Sequence, residues 1–162
     1  MRAFVVDVNV AIAANGKSPQ ADLDCVAGCV NALDNIPKSG LVVLDDGMRI
    51  LSEYQRHLSP KGQPGLGDAF MKWVWENQAV VERCERVILT PSGTWDEDFA
   101  EFPTDPALTN FDPADRKYVA AALVSQRAPE VLNAVDPDWW QYRDALQRNG
   151  VRLRFLCPQH MQ

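Results

Sequence analysis

The fold of this chain is decided by the stretch Ala3-Phe4-Val5-Val6-Asp7-Val8-Asn9, an apolar run that ends in a carboxylate followed two residues later by an amide. A run that is apolar at every position, without alternation, is typical of a strand buried on both faces. Asp7 is therefore expected at the carboxyl end of a central strand. In open parallel sheets this edge carries the ligand site, because the following loops form a crevice there. The simpler interpretation is that Asp7 only stops the strand and caps the next helix.

The bulk composition predicts one globular domain that spans residues 1–162. A chain of 162 residues is long enough for one sizeable core, and its hydrophobic content of 46% and charged content of 23% argue against disorder. Its net charge of -6 excludes a protein that holds nucleic acid by bulk positive charge, since phosphate backbones are bound mainly by Lys and Arg. A nucleic-acid substrate would need cations to screen the acids.

Signals for export, membrane insertion and zinc ribbons are absent from the sequence. No apolar stretch approaches the eighteen or so residues of a membrane span, and the N-terminal residues lack the pattern of a signal peptide. We therefore expect no membrane partner and a cytoplasmic location. The four cysteines, Cys25, Cys29, Cys84 and Cys157, form no CxxC pair, and we expect reduced, buried thiols.

The rest of the chain alternates between helical and extended patterns. Helices are predicted at residues 8–14, 19–35, 47–58, 68–85, 112–126 and 139–149, and further strands at residues 41–44, 87–90, 131–135 and 151–156. Ser18 is expected to cap the second helix. Because right-handed helical crossovers return each strand in the same direction, this order predicts a three-layer α/β/α sandwich with a central, mainly parallel five-stranded sheet.

Residues 91–110 interrupt the alternation. They mix Trp95 and Phe99 with acids and prolines and show no clean period. We interpret them as an ordered insertion laid over the surface, with one helical turn at residues 96–100. The stretch at residues 59–67 is rich in Pro and Gly, which predicts a surface loop where substrate or a partner is met.

Several acids are predicted to converge on the edge of the sheet that Asp7 marks. Asp136 follows another strand, and Glu53, Asp112 and Asp115 lie in or near the first turns of helices that begin at this edge. Desolvated carboxylates in one place would repel each other unless divalent cations bind between them. Mg²⁺ and Mn²⁺, which prefer oxygen ligands, are the expected cofactors. The structural alternative is that Asp112 and Asp115 only stabilise a helix start and that Glu53 is solvated.

Four short motifs carry these acids in a fixed order. They are FVVDVN at residues 4–9, ILSEY at residues 50–54, DRKYVAAA at residues 115–122 and VDPDW at residues 135–139. Together they resemble the PIN domains, a family of metal-dependent nucleases that includes the VapC-type toxins of bacterial toxin-antitoxin pairs. The resemblance implies that the metal ligands and catalytic residues are Asp7, Glu53, Asp115 and Asp136, with Asp112 beside them as a further candidate ligand. It also implies that Asn9 orders the first loop.

Hydrolysis of RNA phosphodiester bonds is the activity that this resemblance implies. A cation would lower the pKa of a bound water and neutralise charge on the phosphate and the leaving oxygen. The implied partners are RNA, an antitoxin protein and a second copy of the chain. Candidate substrate contacts are Asn9, Arg49, Arg56, Arg116 and Lys117, although the four cations could equally be solvated helix faces. Trp139 and Trp140 could stack on a base, but packing of the last helix is the favoured interpretation.

Two departures from the family pattern leave an alternative open. Val8 stands where the family commonly has Ser or Thr, and Ala134 stands where a Thr often precedes the last acid. Loss of these hydroxyls implies altered metal affinity and allows a catalytically inactive PIN-like binding or assembly module. The segment at residues 63–110 is also longer than in compact toxins, which weakens the toxin assignment.

Two other classes begin with a similar strand but fit less well. A haloacid dehalogenase-type phosphatase needs a second Asp two residues after the first, and this chain has Asn9 there. A receiver-like phosphoacceptor site at Asp45 and Asp46 would need a Lys after a late strand in the required setting, and none follows. The nuclease interpretation is therefore preferred.

Overall fold

A five-stranded parallel sheet forms the centre of the protein. The structure, a computed structural model, describes residues 1–93 and 97–161, so the predictions for Trp95 and Asp96 lie outside the described residues. The strands are β1 (Arg2–Val6), β2 (Gly40–Asp45), β3 (Cys84–Val87), β4 (Glu130–Asn133) and β5 (Arg152–Phe155). They lie in the order β3-β2-β1-β4-β5, and every neighbouring pair is parallel. The predicted sandwich with a central parallel sheet is confirmed.

Helices cover both faces of this sheet. In the described residues they are α1 (Val8–Ala14), α2 (Leu23–Ser39), α3 (Arg49–His57), α4 (Leu66–Asn77), α5 (Arg116–Val124), α6 (Pro137–Gln141) and α7 (Arg143–Arg148). Three short 3₁₀ turns accompany them, at Pro106–Leu108, Pro113–Asp115 and Pro158–His160. Within the two described ranges, none of the helices has the length and apolar character needed to cross a membrane.

The position of β1 explains its unbroken apolar sequence. It is the middle strand, with Phe4 aligned with Val42 of β2 and Val5 aligned with Val131 of β4. Because helices pack on both faces, every residue from position 3 to position 6 is buried. Asp7 follows directly, so the first acid stands at the carboxyl end of the central strand, as predicted.

Helix α2 begins and ends later than the sequence pattern predicted. The side chain of Asp22, in place of Ser18, caps it by accepting a hydrogen bond from the backbone N-H of Cys25 at 2.8 Å. At its other end the helix continues through Pro37 to Ser39. The expected start at Pro19 was therefore wrong, because a second capping residue, Asp22, lies four positions after Ser18.

The third strand lies earlier in the chain than residues 87–90. Helix α4 ends at Asn77, whose side-chain amide donates to the carbonyl of Trp73 and whose oxygen accepts from Arg83 at 2.7 Å. These bonds hold a turn, after which β3 pairs with β2 up to Val87. The helix predicted at residues 139–149 is likewise divided into α6 and α7, which meet at Tyr142.

Two of the cysteines differ from the expected reduced thiols. Cys25 and Cys157 form a disulfide that joins α2 to the segment after β5, across 132 positions of sequence. In the chain-entropy account, closing so long a loop stabilises the folded state by roughly 5 kcal/mol. Cys29 and Cys84 are free and buried, as expected, and burial raises the pKa of the Cys29 thiol to about 12. Spacing alone could not reveal the disulfide, because only the fold brings its two cysteines together.

Candidate functional site

Three of the four predicted metal-binding acids meet at the carboxyl edge of the sheet. Asp7 follows β1, Asp136 caps α6 after β4, and Asp115 ends the 3₁₀ turn that leads into α5. Each offers one carboxylate oxygen to a group whose atoms all lie within 4.8 Å of one another. Parallel strands end at one edge of the sheet, which is why acids so far apart in sequence share this place.

Burial and mutual repulsion dominate the electrostatics of these acids. Asp7 is 3% exposed and Asp115 is 7% exposed. Burial raises the pKa of Asp7 to about 7, although hydrogen bonds from Asn9 and Trp139 lower it. Burial, followed by the negative charges of Asp7 and Asp136, raises the pKa of Asp115 to about 10. Without a compensating cation, Asp115 therefore holds a proton at neutral pH.

Asp115 also carries an unsatisfied atom. Its buried Oδ2 has no hydrogen-bond partner among the residues that the structure describes. Buried polar atoms in native proteins are almost always paired, and one left unpaired indicates a missing ligand or a functional role. The fold thus holds a carboxylate oxygen in place beside two other acids without a protein donor.

A second group of acids overlaps the first. Asp112, Asp115 and Asp138 also offer oxygens within 4.8 Å of one another. Asp112 has the capping role that the sequence predicted, since it accepts a hydrogen bond from the backbone N-H of Ala114 at 3.0 Å. Asp138 was not singled out as a site residue. Its position two residues after Asp136 was the available signal, and burial, Asp136 and Asp112 raise its pKa.

Glu53 does not join either group of described carboxylates, although it was predicted as a metal ligand. One of its oxygens lies 3.3 Å from Nζ of Lys117 and the other accepts a hydrogen bond from the hydroxyl of Tyr118. Arg56 approaches it at 3.5 Å. Its carboxylate is therefore bound by protein partners, and its role as a metal ligand stays a prediction. The alternative of a solvated Glu was wrong, because the side chain is buried.

Two donors fix the carboxylate of Asp7. The backbone N-H of Asn9 donates to Oδ1 at 2.9 Å, and the indole N-H of Trp139 donates to Oδ2 at 2.8 Å. Trp139 is fully buried, so the favoured packing interpretation is confirmed for it. Its bond to Asp7 was missed, since nothing in the sequence links an indole on α6 to an acid 132 positions earlier. Trp139 therefore orients the first acid of the cluster.

Asn9 connects the loops that follow β1 and β4. Its side-chain N-H donates to Oδ1 of Asn133 at 2.6 Å, and its oxygen accepts from the backbone N-H of Ala134 at 2.8 Å. This geometry agrees with a role in ordering the first loop. Both ends of the amide bind protein atoms, and the predicted substrate contact of Asn9 stays a prediction.

The four predicted cationic contacts separate into two pairs. Arg116 donates to Asp98 at 2.8 Å and to the backbone carbonyls of Thr109 and Phe111, so it holds the 91–110 segment against the start of α5. Lys117 is buried and is bound by Glu53 and the carbonyl of Ala114. Protein oxygens thus bind both side chains, and their contact with substrate stays a prediction.

Arg49 and Arg56 lie where a substrate could reach them. Both line an open cavity of about 420 Å³. The same cavity is lined by Pro113 and Ala114, the residues that directly precede Asp115. These two arginines therefore stay candidates for contact with a substrate bound at the acids.

Comparison of the chain with protein-family models, with curated proteins and with solved structures found no match. The resemblance to PIN domains thus stays a prediction based on the order of the four motifs. What the chain does is argued below from the site itself and from that resemblance.

Proposed function

We propose that this chain is a Mg²⁺- or Mn²⁺-dependent endoribonuclease that hydrolyses phosphodiester bonds of RNA. The observation that carries the proposal is the group of Asp7, Asp115 and Asp136, with their oxygens within 4.8 Å and the buried Oδ2 of Asp115 without a donor. Asp112 and Asp138 lie next to this group and extend it through Asp115.

The residues present fit a divalent cation. The donors are carboxylate oxygens, which hard ions such as Mg²⁺ and Mn²⁺ prefer over nitrogen or sulfur ligands. The raised pKa of Asp115 records how unfavourable its charged form is beside Asp7 and Asp136. A bound cation removes that repulsion and gives the unpartnered oxygen a ligand.

The chain's own contribution to the reaction is positioning. A bound ion supplies a water of lowered pKa and neutralises charge on the phosphate. Asp7, Asp115 and Asp136 would hold that ion, while Trp139 and the backbone of Asn9 fix the orientation of Asp7. Partners behind metal ligands of this kind set both the affinity and the direction of the ligand.

RNA as the polymer rests on the resemblance to PIN domains. The toxin role, an antitoxin partner and pairing with a second copy of the chain rest on the same resemblance and stay predictions. The geometry alone supports the wider class of phosphodiester hydrolysis, because carboxylates that hold divalent cations commonly serve phosphoryl transfer.

A second candidate is a metal-binding but catalytically inactive module of the same fold. It is favoured by Glu53, which Lys117 and Tyr118 neutralise, so a fourth acid is missing from the described cluster. The apolar residues Val8 and Ala134, which stand where the family commonly has hydroxyls, agree with it. The two candidates differ in one result, since the inactive module would bind Mn²⁺ without cutting RNA.

The decisive experiment is a cleavage assay on a mixed pool of single-stranded and structured RNA. We expect cleavage with Mg²⁺ or Mn²⁺, none with EDTA, and none with Asp7→Asn. Asp34→Asn is the matched control, since Asp34 is an exposed acid on α2 that pairs with Lys38. Cleavage that survives EDTA and Asp7→Asn would show that the acids are not the catalyst.

A further inference from the structure

The cavity beside the acid cluster has an unusual lining for so acidic a chain. Arg49, Arg56 and Lys117 border it, with Glu97 as the acidic residue of the lining. The net charge of the whole chain is -6. A volume of about 420 Å³ lies in the range of small-ligand sites. Cationic side chains are thus gathered at this place against the overall charge.

Arg49 is fixed at the side of this cavity by two contacts. Its guanidinium carbon lies 5.1 Å from the centre of the Phe99 ring, and Nη1 lies 3.4 Å from Oδ2 of Asp45. Its planar guanidinium is therefore held in the cavity lining, where a ligand in the cavity can meet it. Guanidinium groups in binding sites stack on nucleobases.

Phe99 reaches this position because it belongs to the insertion at residues 91–110. It pairs with Pro91 in an isolated antiparallel bridge, and its ring is buried. Arg116 fixes the same segment through Asp98, the residue before Phe99. Through Phe99 the insertion therefore lines part of the cavity and contacts Arg49.

Arg56 supplies an exposed cation at the same cavity. Its side chain is 67% exposed, and its contact with Glu53 is long, at 3.5 Å. Lys117, in contrast, is committed to Glu53 and to the carbonyl of Ala114. Arg56 is therefore the lining cation that can turn toward a phosphate with little loss.

We propose that this cavity binds one nucleotide of the substrate next to the bond that is cut, with the base against the guanidinium of Arg49 and the phosphate at Arg56. The inference rests on the proposed function, because it names the substrate class of the same site. Pro113 and Ala114 connect the cavity to Asp115, so a nucleotide bound there lies beside the acids. The insertion thereby acts in substrate recognition.

Binding of the four ribonucleoside 5′-monophosphates, measured by calorimetry in EDTA, tests this inference. We expect saturable binding of at least one of them and much weaker binding of inorganic phosphate. Arg49→Ala is expected to weaken nucleotide binding by about tenfold or more, the range found for loss of base stacking. Arg49→Lys keeps the positive charge but lacks the planar guanidinium group, and it is expected to weaken nucleotide binding by a similar factor. Arg56→Gln, a change at an exposed side chain, should also weaken it.

Arg127→Ala is the matched control, because Arg127 is exposed and lies between α5 and β4, at the opposite edge of the sheet. It should leave binding unchanged. Absence of saturable binding, full affinity in Arg49→Lys, or an equal loss in Arg127→Ala would each overturn the inference. Binding measured in EDTA does not depend on a metal at the acids, so the two proposals can fail separately. Nucleotide binding without RNA cleavage would reject the nuclease proposal and leave the cavity's role standing. Metal-dependent cleavage that is unchanged in the Arg49 and Arg56 variants would reject the cavity's role and leave the nuclease proposal standing.

Discussion

Asp68 and Asp115 are both buried acids at the start of helices, yet their environments are opposite. Asp68 accepts hydrogen bonds from the backbone N-H groups of Ser59 and Gly65 and from the side chain of Asn15. Burial raises its pKa, but these donors outweigh burial and the net pKa lies below the ordinary value. Asp115 has an oxygen without a donor and a pKa of about 10.

The comparison shows that burial alone does not mark a functional acid. What separates the two is the supply of donors, which Asp68 has in full and Asp115 lacks. Asp45 follows the pattern of Asp68, since it is buried and accepts from the backbone N-H groups of Arg49 and Ile50. Acids left without donors inside a fold are the ones to test for chemistry.

The largest expected difference between the two regions is in activity. Asp115→Asn should lower RNA cleavage by about a hundredfold or more, because preorganised charge at a reacting centre typically contributes that much. Asp68→Asn should keep the activity of its folded fraction, since its carboxylate only holds a loop. RNA cleavage rates of the two variants, each divided by the folded fraction of the protein, check this pair of predictions. Equal losses in both variants would remove the distinction between the two acids.

Trp139→Phe sharpens the account of how the cluster is held. Loss of the indole N-H removes a bond that lowers the pKa of Asp7, so Mn²⁺ affinity at neutral pH should fall by about 10- to 100-fold. Raising the pH should bring the affinity of the variant closer to that of wild type at the same pH, because Asp7 then loses its proton in both proteins. A packing defect alone would leave the ratio of the two affinities unchanged with pH, and that result would contradict the positioning role.

The two acids should also differ in their effect on stability. In metal-free protein, Asp68→Asn should lower the free energy of unfolding by about 1 to 3 kcal/mol, because three donors lose their charged acceptor. Asp115→Asn should raise it by a similar amount, because at neutral pH the folded protein must keep Asp115 protonated whereas the unfolded chain ionises it, and an amide has no such difference. Urea denaturation measures both. Destabilisation by Asp115→Asn would mean that its carboxylate has a partner in solution.

The same raised pKa also predicts a difference in the pH dependence of stability. The pKa of Asp115 is raised from 3.8 to about 10 in the folded protein, so between these values the folded state binds a proton that the unfolded state lacks. Its contribution to stability is therefore full below about pH 4 and is lost as the pH rises toward 10. Relative to wild type, Asp115→Asn should gain stability steadily between about pH 5 and pH 8. A difference that does not change with pH would contradict the raised pKa.

The sequence predicted the sheet because its signal is local. Each strand is a short apolar run, and the acids that follow β1 and β4 mark the carboxyl edge without knowledge of the fold. Asp7 and Asp136 could be grouped in this way, since parallel strands bring their ends together. Asp115 joined them because it begins a helix that was predicted to start at the same edge.

The remaining features depend on contacts between distant segments. Glu53 lies on α3 near the predicted edge, but whether it meets a cation or Lys117 depends on how α3 and α5 pack. The bond from Trp139 to Asp7 and the disulfide between Cys25 and Cys157 likewise join residues that no spacing rule relates. Such pairings follow from tertiary packing, which a single sequence does not display.

Calorimetric titration of metal-free protein with Mn²⁺ tests the central claim most directly. Wild type and the control Asp34→Asn should show saturable binding at neutral pH, with protons released as Asp115 gives up its proton, whereas Asp115→Asn should show binding that is abolished or greatly weakened. Absence of binding by wild type, or equal binding by Asp115→Asn, would contradict the assignment of this acid cluster as a cation site.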